Sequence, residues 1–490
     1  MKFRSTRGYE REMTGAEAVI QGIAPDRGLF VPTEIPEMPF DIAEMQGKSY
    51  QEVAKAIIGL FFDDYTAEEM QRCIDGAYDG KFEAEEIVPV VKAGDAWFLE
   101  LYHGKTAAFK DMALSILPYL LTTAMKKQQE DKKICILTAT SGDTGKAALE
   151  GFADVEGTEI IVFFPNHGVS QIQQKQMTSQ EGSNVHVFAI EGNFDDAQTG
   201  VKNIFQDESV HEALLKEGVK LSSANSINIG RLVPQITYYV YSYIKLLEQG
   251  ALKCGDPVNV VVPTGNFGNI LAAYYAKRMG LPVKKLICAS NRNNVLTDFL
   301  RTGVYDTNRA FYQTNSPSMD ILVSSNLERL LYHLSGEDAG EIRRLMADLD
   351  EKGRYEVPDS IRAGLSAFSA GFADVEETDQ TIGAMYRENH YLFDTHTAVA
   401  YKVYEDYRRS TGDETPTLIA STASAYKFAS SVAESLGVPE TDGFRAIDAV
   451  HEYTGVPVPR AMSGLEEKPV LHDQVIDRTE MKEAVLRALS

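Results

Sequence analysis

The chain is poor in several things, and each shortage removes a class of function. It has four cysteines in 490 residues, Cys73, Cys135, Cys254 and Cys288, too far apart for a CxxC pair. That spacing excludes a zinc ribbon or disulfide framework and fits a reducing cytoplasm. Nine histidines occur without HExxH spacing. Positive charge is scarce: 48 Lys and Arg stand against 71 Asp and Glu, a net charge of -23. A surface that acidic repels nucleic acid and anionic membranes, so neither is expected as a partner. An anionic substrate remains compatible, because a local basic pocket can outweigh the global field. No apolar run is long enough to span a bilayer. The stretch Met1 to Arg7 is charged and does not read as a signal peptide. Neither GxGxxG nor GxxxxGK[ST] is present, so dinucleotide and ATP fingerprints are missing.

What is present is an alternation of strands and helices. Residues 1–95 read as an N-terminal cap: a turn into a short strand at Gly28 to Pro32, a helix over Tyr50 to Phe62, and a capping signal at Thr66 to Glu69. From about 96 the pattern becomes strand, loop, helix. Trp97 to Tyr102 alternates and runs into His103-Gly104-Lys105-Thr106-Ala107-Ala108-Phe109-Lys110-Asp111. A helix is expected from there to about Gln129. Buried strands are expected at Ile134 to Ala139, Glu159 to Phe164, Val185 to Ile190, Val258 to Val262, Lys285 to Ala289 and Thr417 to Ala420, with a helix over Phe194 to Leu215. The fold class is therefore α/β with parallel, doubly wound sheets.

Ligands of open α/β sheets bind beyond the carboxyl ends of the strands. Polar, glycine-bearing loops stand there. Gly265-Asn266-Phe267-Gly268-Asn269 opens a helix, and its free N–H groups suit a phosphate. Thr140-Ser141-Gly142-Asp143-Thr144-Gly145 suits a carboxylate or phosphate, and Ser141 or Asp143 equally suits plain helix capping. Asn225, Ser226, Asn228 and Arg231 combine amides, a hydroxyl and a guanidinium able to fork onto a phosphate. The last loop contains Ser421-Thr422-Ala423. Lys110, after an aromatic and before an acid, suits either a solvated first-turn lysine or an amine that condenses with an aldehyde cofactor.

Together these stretches resemble the threonine synthase family, within the fold-type II enzymes that use pyridoxal 5'-phosphate (PLP). Ser5-Thr6-Arg7-Gly8, Gly22 to Pro32, His103 to Asp111, Leu137 to Gly145, Asn225 to Arg231, Pro263 to Asn269, Asp394 to Ala398 and Ser421-Thr422-Ala423 carry the resemblance, in the order that family shows. It implies a tryptophan synthase β-like fold of two doubly wound parallel-sheet domains plus the cap. The division is 1–95 cap, 96–460 catalytic core with a smaller subdomain at about 130–235 inserted in the larger, and 461–490 a tail helix. It implies PLP bound covalently, as an aldimine, on Lys110, the catalytic residue. Gly265, Asn266, Phe267, Gly268 and Asn269 would hold its phosphate, Thr422 would meet the ring nitrogen, and Asp143 would lie near the phenolic oxygen. Ser141 and Thr144 would meet the substrate carboxylate, and Asn225, Ser226 and Arg231 its phosphate. The implied reaction converts O-phospho-L-homoserine and water to L-threonine and phosphate, in a monomer or homodimer. Alternatives are another lyase of this fold, such as a serine/threonine dehydratase, and a non-catalytic homologue acting as a binding module. Two departures stand out. Lys105 replaces the proline common after His-Gly and is expected to help bind phosphate. Ser424 stands where the family often has histidine.

Overall fold

The computed structural model describes residues 1–490, the side chain of Asp195 excepted. Two parallel sheets organise it. The larger has the strand order Phe368–Phe372, Val283–Ser290, Val258–Pro263, Thr417–Ser421, Ala96–Glu100, Val90–Ala93. All its pairings are parallel except the last, a hairpin between Val90–Ala93 and Ala96–Glu100. The smaller is wholly parallel, in the order Val475–Asp477, Val185–Glu191, Thr158–Pro165, Lys133–Ala139, Val219–Ser222. The central strands are almost continuous apolar runs, buried on both faces, as parallel strands covered by helices must be.

The capping signal expected at Thr66 with Glu69 forms a reciprocal capping box, and Thr14 with Glu17 and Ser49 with Glu52, which the sequence reading did not single out, form two more. Helix Tyr50–Phe61 buries Tyr50, Val53, Ile57, Ile58 and Phe61, side chains worth about 1.5–3 kcal/mol each when fully buried. It packs on helix Pro234–Glu248, and helices Gly15–Gln21 and Ala67–Tyr78 pack on Leu117–Lys127. Phe3, Ile57, Leu117, Ile136 and Val260 belong to one apolar cluster, so this segment shares its core with both sheets.

Three expected elements differ. The helix after Lys110 is broken into Asp111–Leu114 and Leu117–Lys127. Pro118 has no N–H to give the Leu114 carbonyl, which packs instead against Gly151, where a Cβ would lie 2.3 Å from that oxygen. The helix expected over Phe194 to Leu215 divides into Phe194–Gln206 and Glu208–Lys216, because the Asp207 carboxylate accepts the Ser209 and Val210 N–H groups and starts a new helix. The tail holds a helix only at Met481–Ala488, preceded by the strand Val475–Asp477 on the edge of the smaller sheet. That strand and the edge strands Val219–Ser222 and Phe368–Phe372 are short and partly polar, so periodicity did not reveal them.

Candidate active site

The four loops named above all leave the carboxyl ends of strands. Ala139 leads to Ser141, Ser222 to Ser226, Pro263 to Gly265, and Ser421 to Thr422. Lys110 is brought to them by a loop from the neighbouring strand Ala96–Glu100. Antiparallel pairing of Ala108 with Ala423 zips these last two loops together. Phe109 N–H donates to the Thr422 carbonyl at 2.8 Å and Ser424 N–H to the Ala107 carbonyl at 3.0 Å. Within the loop Asp111 accepts the Thr106 N–H at 2.8 Å and the Thr106 hydroxyl at 2.5 Å. Ala107 takes a left-handed φ of 56° to make the turn.

Lys110 is 8% exposed, and its Nζ lies 3.7 Å from Asp143 Oδ2. Burial lowers its amine to about 8; Asp143 opposes that, and Arg231 and Lys427 add to it. Asp143 is buried in the first turn of helix Asp143–Phe152. Burial pushes its carboxyl up, but Lys427 and Lys110 outweigh this and hold it well below the usual range. Gln173 Nε2 donates to its Oδ1 at 2.9 Å, and the Ser318 hydroxyl reaches its Oδ2 at 3.3 Å. Gly142 before it has φ 134°, and a Cβ there would strike Gln173 at 2.4 Å, so the turn requires glycine.

The Gly265 loop is an open cradle. Among the described residues, no backbone N–H from Gly265 to Asn269 donates to a protein acceptor. Phe267 is left-handed, with φ 63°, and starts helix Gly268–Arg278. Its ring points away into the core against Phe368, so only its backbone faces the loop. Asn269 Oδ1 accepts the Tyr238 and Tyr239 hydroxyls at 2.6 and 2.5 Å, and its buried Nδ2 has no partner among the described residues. Free N–H groups at a helix start, plus an unsatisfied amide, fit a phosphate. The donors, the low-lying amine of Lys110 and the excess of cations over Asp143 fit PLP.

Beside this cradle lies the Ser226 loop. Arg231 is buried, donates to the Ala224 carbonyl at 2.8 Å, and has no carboxylate in ion-pair range among the described residues. Burial lowers its guanidinium to about 10. Asn225 Oδ1 accepts the Thr138 hydroxyl at 3.0 Å. Ser141 and Thr144 are half-buried, and their backbone N–H groups are unused among the described residues. The structure thus gathers Lys110, Asp143, the Gly265 loop, the Thr422 loop and the Arg231 loop. It does not bring Lys105 with them: that side chain is exposed and pairs with Glu150 at 3.1 Å.

Sequence reasoning missed several residues here. Lys427 is fully buried and lies 3.1 Å from Asp143 Oδ1. Asn326 Nδ2 donates to the Ser226 hydroxyl and the Asn266 carbonyl, at 2.9 and 3.0 Å. Arg329, fully buried, donates to the Phe30 carbonyl at 2.9 Å and the Ser226 carbonyl at 3.2 Å, tying the N-terminal segment to the same loop. His396 Nε2 accepts the Ser318 N–H at 3.1 Å, and its Nδ1 pairs with Asp394 at 2.7 Å. Only Asp394 and His396 lie in a stretch that carried the resemblance; the others sit on helices and loops with no local signal.

Known families match along nearly the whole chain. The Threonine synthase N terminus family matches residues 2–78, Pyridoxal-phosphate dependent enzyme 83–367, and Threonine synthase, C-terminal 397–485. Threonine synthase of Schizosaccharomyces pombe is 37% identical over 460 residues, 87% of this chain and 88% of that protein. The human protein Threonine synthase-like 1 is 37% identical over 481 residues, and the chain spans 63% of its length. The crystal structure of PLP-bound threonine synthase from Brucella melitensis superposes with a TM-score of 0.88 at 37% identity, covering 100% of this chain and 99% of that one.

Proposed function

We propose a reaction from one premise: the chain belongs to the threonine synthase family of pyridoxal-phosphate-dependent enzymes, with their fold-type II architecture. The reaction is conversion of O-phospho-L-homoserine and water to L-threonine and phosphate. The bond from Cγ to the phosphate oxygen breaks and Cγ gains a hydrogen, Cβ exchanges one hydrogen for the hydroxyl of water, and the remaining water proton leaves with the phosphate. The observation that carries this reading is the pair of anion loops joined by Asn326. One is the N–H cradle of Gly265 to Asn269, and the other presents Ser226 and Arg231, which has no carboxylate partner among the described residues. A substrate whose phosphate leaves requires a phosphate pocket in addition to the cofactor's cradle and the loop for the substrate carboxylate, and a dehydratase acting on a free amino acid does not.

Lys110 would carry PLP, Gly265 to Asn269 would hold its phosphate, and Thr422 and Asp143 would flank its ring. When bound, PLP supplies an electron sink for the pair left on Cα when its proton departs. The chain's own groups do the rest. The Lys110 amine would be the base at Cα; burial lowers it to about 8, so its neutral form is far more accessible near neutral pH than that of an ordinary lysine. Ser141 and Thr144 would hold the substrate carboxylate with hydroxyl and backbone N–H groups. Asn225, Ser226 and Arg231 would bind the phosphate and stabilise its charge as it departs, an effect strengthened by burial. Asp143, held ionised by its two lysines, keeps Lys110 aimed between the loops.

The deciding assay supplies purified protein and PLP with O-phospho-L-homoserine and measures threonine and phosphate together. Equal yields that depend on PLP support the reading. Release of ammonia and a 2-oxo acid from threonine, with no phosphate release from phosphohomoserine, would overturn it.

A further inference from the structure

Two buried lysines share one carboxylate, and they share it unequally. Lys427 Nζ lies 3.1 Å from Asp143 Oδ1, while Lys110 Nζ lies 3.7 Å from Oδ2. Lys427 is 0% exposed and sits in the short turn Ala425–Phe428, directly after the Thr422 loop. Its ammonium also donates to the Thr106 carbonyl at 2.8 Å, on the loop that carries Lys110. A single residue thus anchors the Lys110 loop and takes the nearer oxygen of its counter-ion. A full ion pair between Lys110 and Asp143 would keep the amine protonated, and a protonated amine cannot add to a carbonyl.

We propose that Lys427 is a positioning residue that occupies the Asp143 carboxylate and so leaves the Lys110 amine free to condense with the cofactor's aldehyde. The proposal rests on the reading of Lys110 as the cofactor lysine. The charged groups facing Lys110 are Asp143 on helix Asp143–Phe152, Arg231 on the turn Ile229–Leu232, Lys427 on Ala425–Phe428 and Asp111 on its own helix. Facing Asp143 are the ammonium groups of Lys427 and Lys110, with the imidazole of His396 on helix Thr395–Thr411 beside them. Two cations and two carboxylates therefore face the amine: burial lowers it, and Arg231 and Lys427 offset the opposing pull of Asp143 and Asp111. The Phe109 ring, 4.6 Å from Nζ, is the remaining close neighbour of opposite polarity.

The condensation itself balances without a further reactant. The neutral amine nitrogen adds to the aldehyde carbon, its protons pass to the carbonyl oxygen, and one water leaves.

The test adds PLP to the full-length chain freed of cofactor and reads the rate at which the lysine-bound absorbance appears, as a function of pH. The wild type should reach half its plateau rate near the pH at which Lys110 loses its proton. Lys427→Met should move that midpoint up by about one pH unit or more, because Asp143 then pairs with Lys110 alone. Asp143→Asn should move it down by a similar amount, because it removes one of the two carboxylates that face the amine. Lys427→Arg should stay close to wild type. Opposite shifts from two partners of one ion pair do not arise from loosened structure. An unmoved midpoint in folded Lys427→Met overturns the proposal, as does a midpoint in Asp143→Asn that stays or rises. Should Lys427→Met fail to fold, Asp143→Asn and Lys427→Arg decide alone. Lys110→Ala separates the two levels. If it gains no band, the cofactor reading holds whatever Lys427 does. If it gains the wild-type band, that reading falls and the proposal falls with it.

Discussion

The side-chain amide of Asn326 donates to the Ser226 hydroxyl at 2.9 Å and, with its other reach, to the Asn266 carbonyl at 3.0 Å. One residue on neither loop sets the spacing between the two candidate phosphate pockets. Asn326→Ala should therefore weaken both PLP and phosphohomoserine binding. Each lost buried bond costs about 1–3 kcal/mol, so both constants should worsen by roughly tenfold or more. Cofactor titration by fluorescence and steady-state KM measure the two effects, and a loss confined to one of them contradicts the bridge.

Arg231 should behave differently, because it belongs to one pocket only. Arg231→Ala removes a buried guanidinium with no carboxylate partner among the described residues, so no orphaned anion remains in the protein. The KM for phosphohomoserine should rise by roughly 30-fold or more, the worth of a charge-assisted bond of about 2–3 kcal/mol. PLP affinity should change by less than about threefold. Equal losses in both would remove the division of labour between the loops.

Lys110→Ala should abolish the absorbance of lysine-bound PLP and lower turnover by about 10²–10⁴-fold, the usual worth of a positioned base. The spectrum and the rate must fall together. A variant that kept the band and its turnover would require another amine to hold the cofactor.

Asp111 provides a pH signature in stability. Burial raises its carboxyl to about 6, against the pull of its bonds from Thr106. A carboxyl raised in the folded state binds its proton there at a pH where the unfolded chain has lost it. Its protonated form therefore favours folding, and that benefit is lost as pH rises from about 4 to about 6. Asp111→Asn should be no more stable than wild type at pH 4 and should gain on it above pH 6, by about 3 kcal/mol at most. Thermal melts of both proteins at the two pH values measure this, and a constant gap in Tm would refute it.

Lys105 should matter little to the chemistry. Its exposed ion pair with Glu150 is worth about 0–1 kcal/mol. Lys105→Ala should change the KM for phosphohomoserine by less than about threefold. A tenfold rise would return this lysine to the substrate pocket, where the sequence had suggested it.

The strand-end loops were legible in the sequence because their chemistry is local. Gly265 to Asn269 and Ser141 to Gly145 each follow a buried strand and open a helix, and that order alone exposes backbone donors. The lysine loop was legible for the same reason. The breaks at Ser115 and Asp207 were not read, although Pro118 and the Asp207 cap carry them, because the apolar period runs on through both.

The sequence by itself determined the two βα series, the capping boxes of the N-terminal helices and the residue types available to hold anions, since each depends on neighbours a few positions apart. Only the tertiary structure decided which charges meet. Lys427 is 317 residues from Lys110 and 284 from Asp143, and no periodicity marks it among the apolar residues of its turn. Asn326, Arg329 and Ser318 reach the site from the segment after the larger sheet's Val283–Ser290 strand, on loops and a helix with no motif of their own. Lys105, five residues before Lys110, was turned outward by the same fold that turned Lys110 in. Burial sets these charges' basicity and their pairing, and burial is a property of packing between elements far apart in the chain.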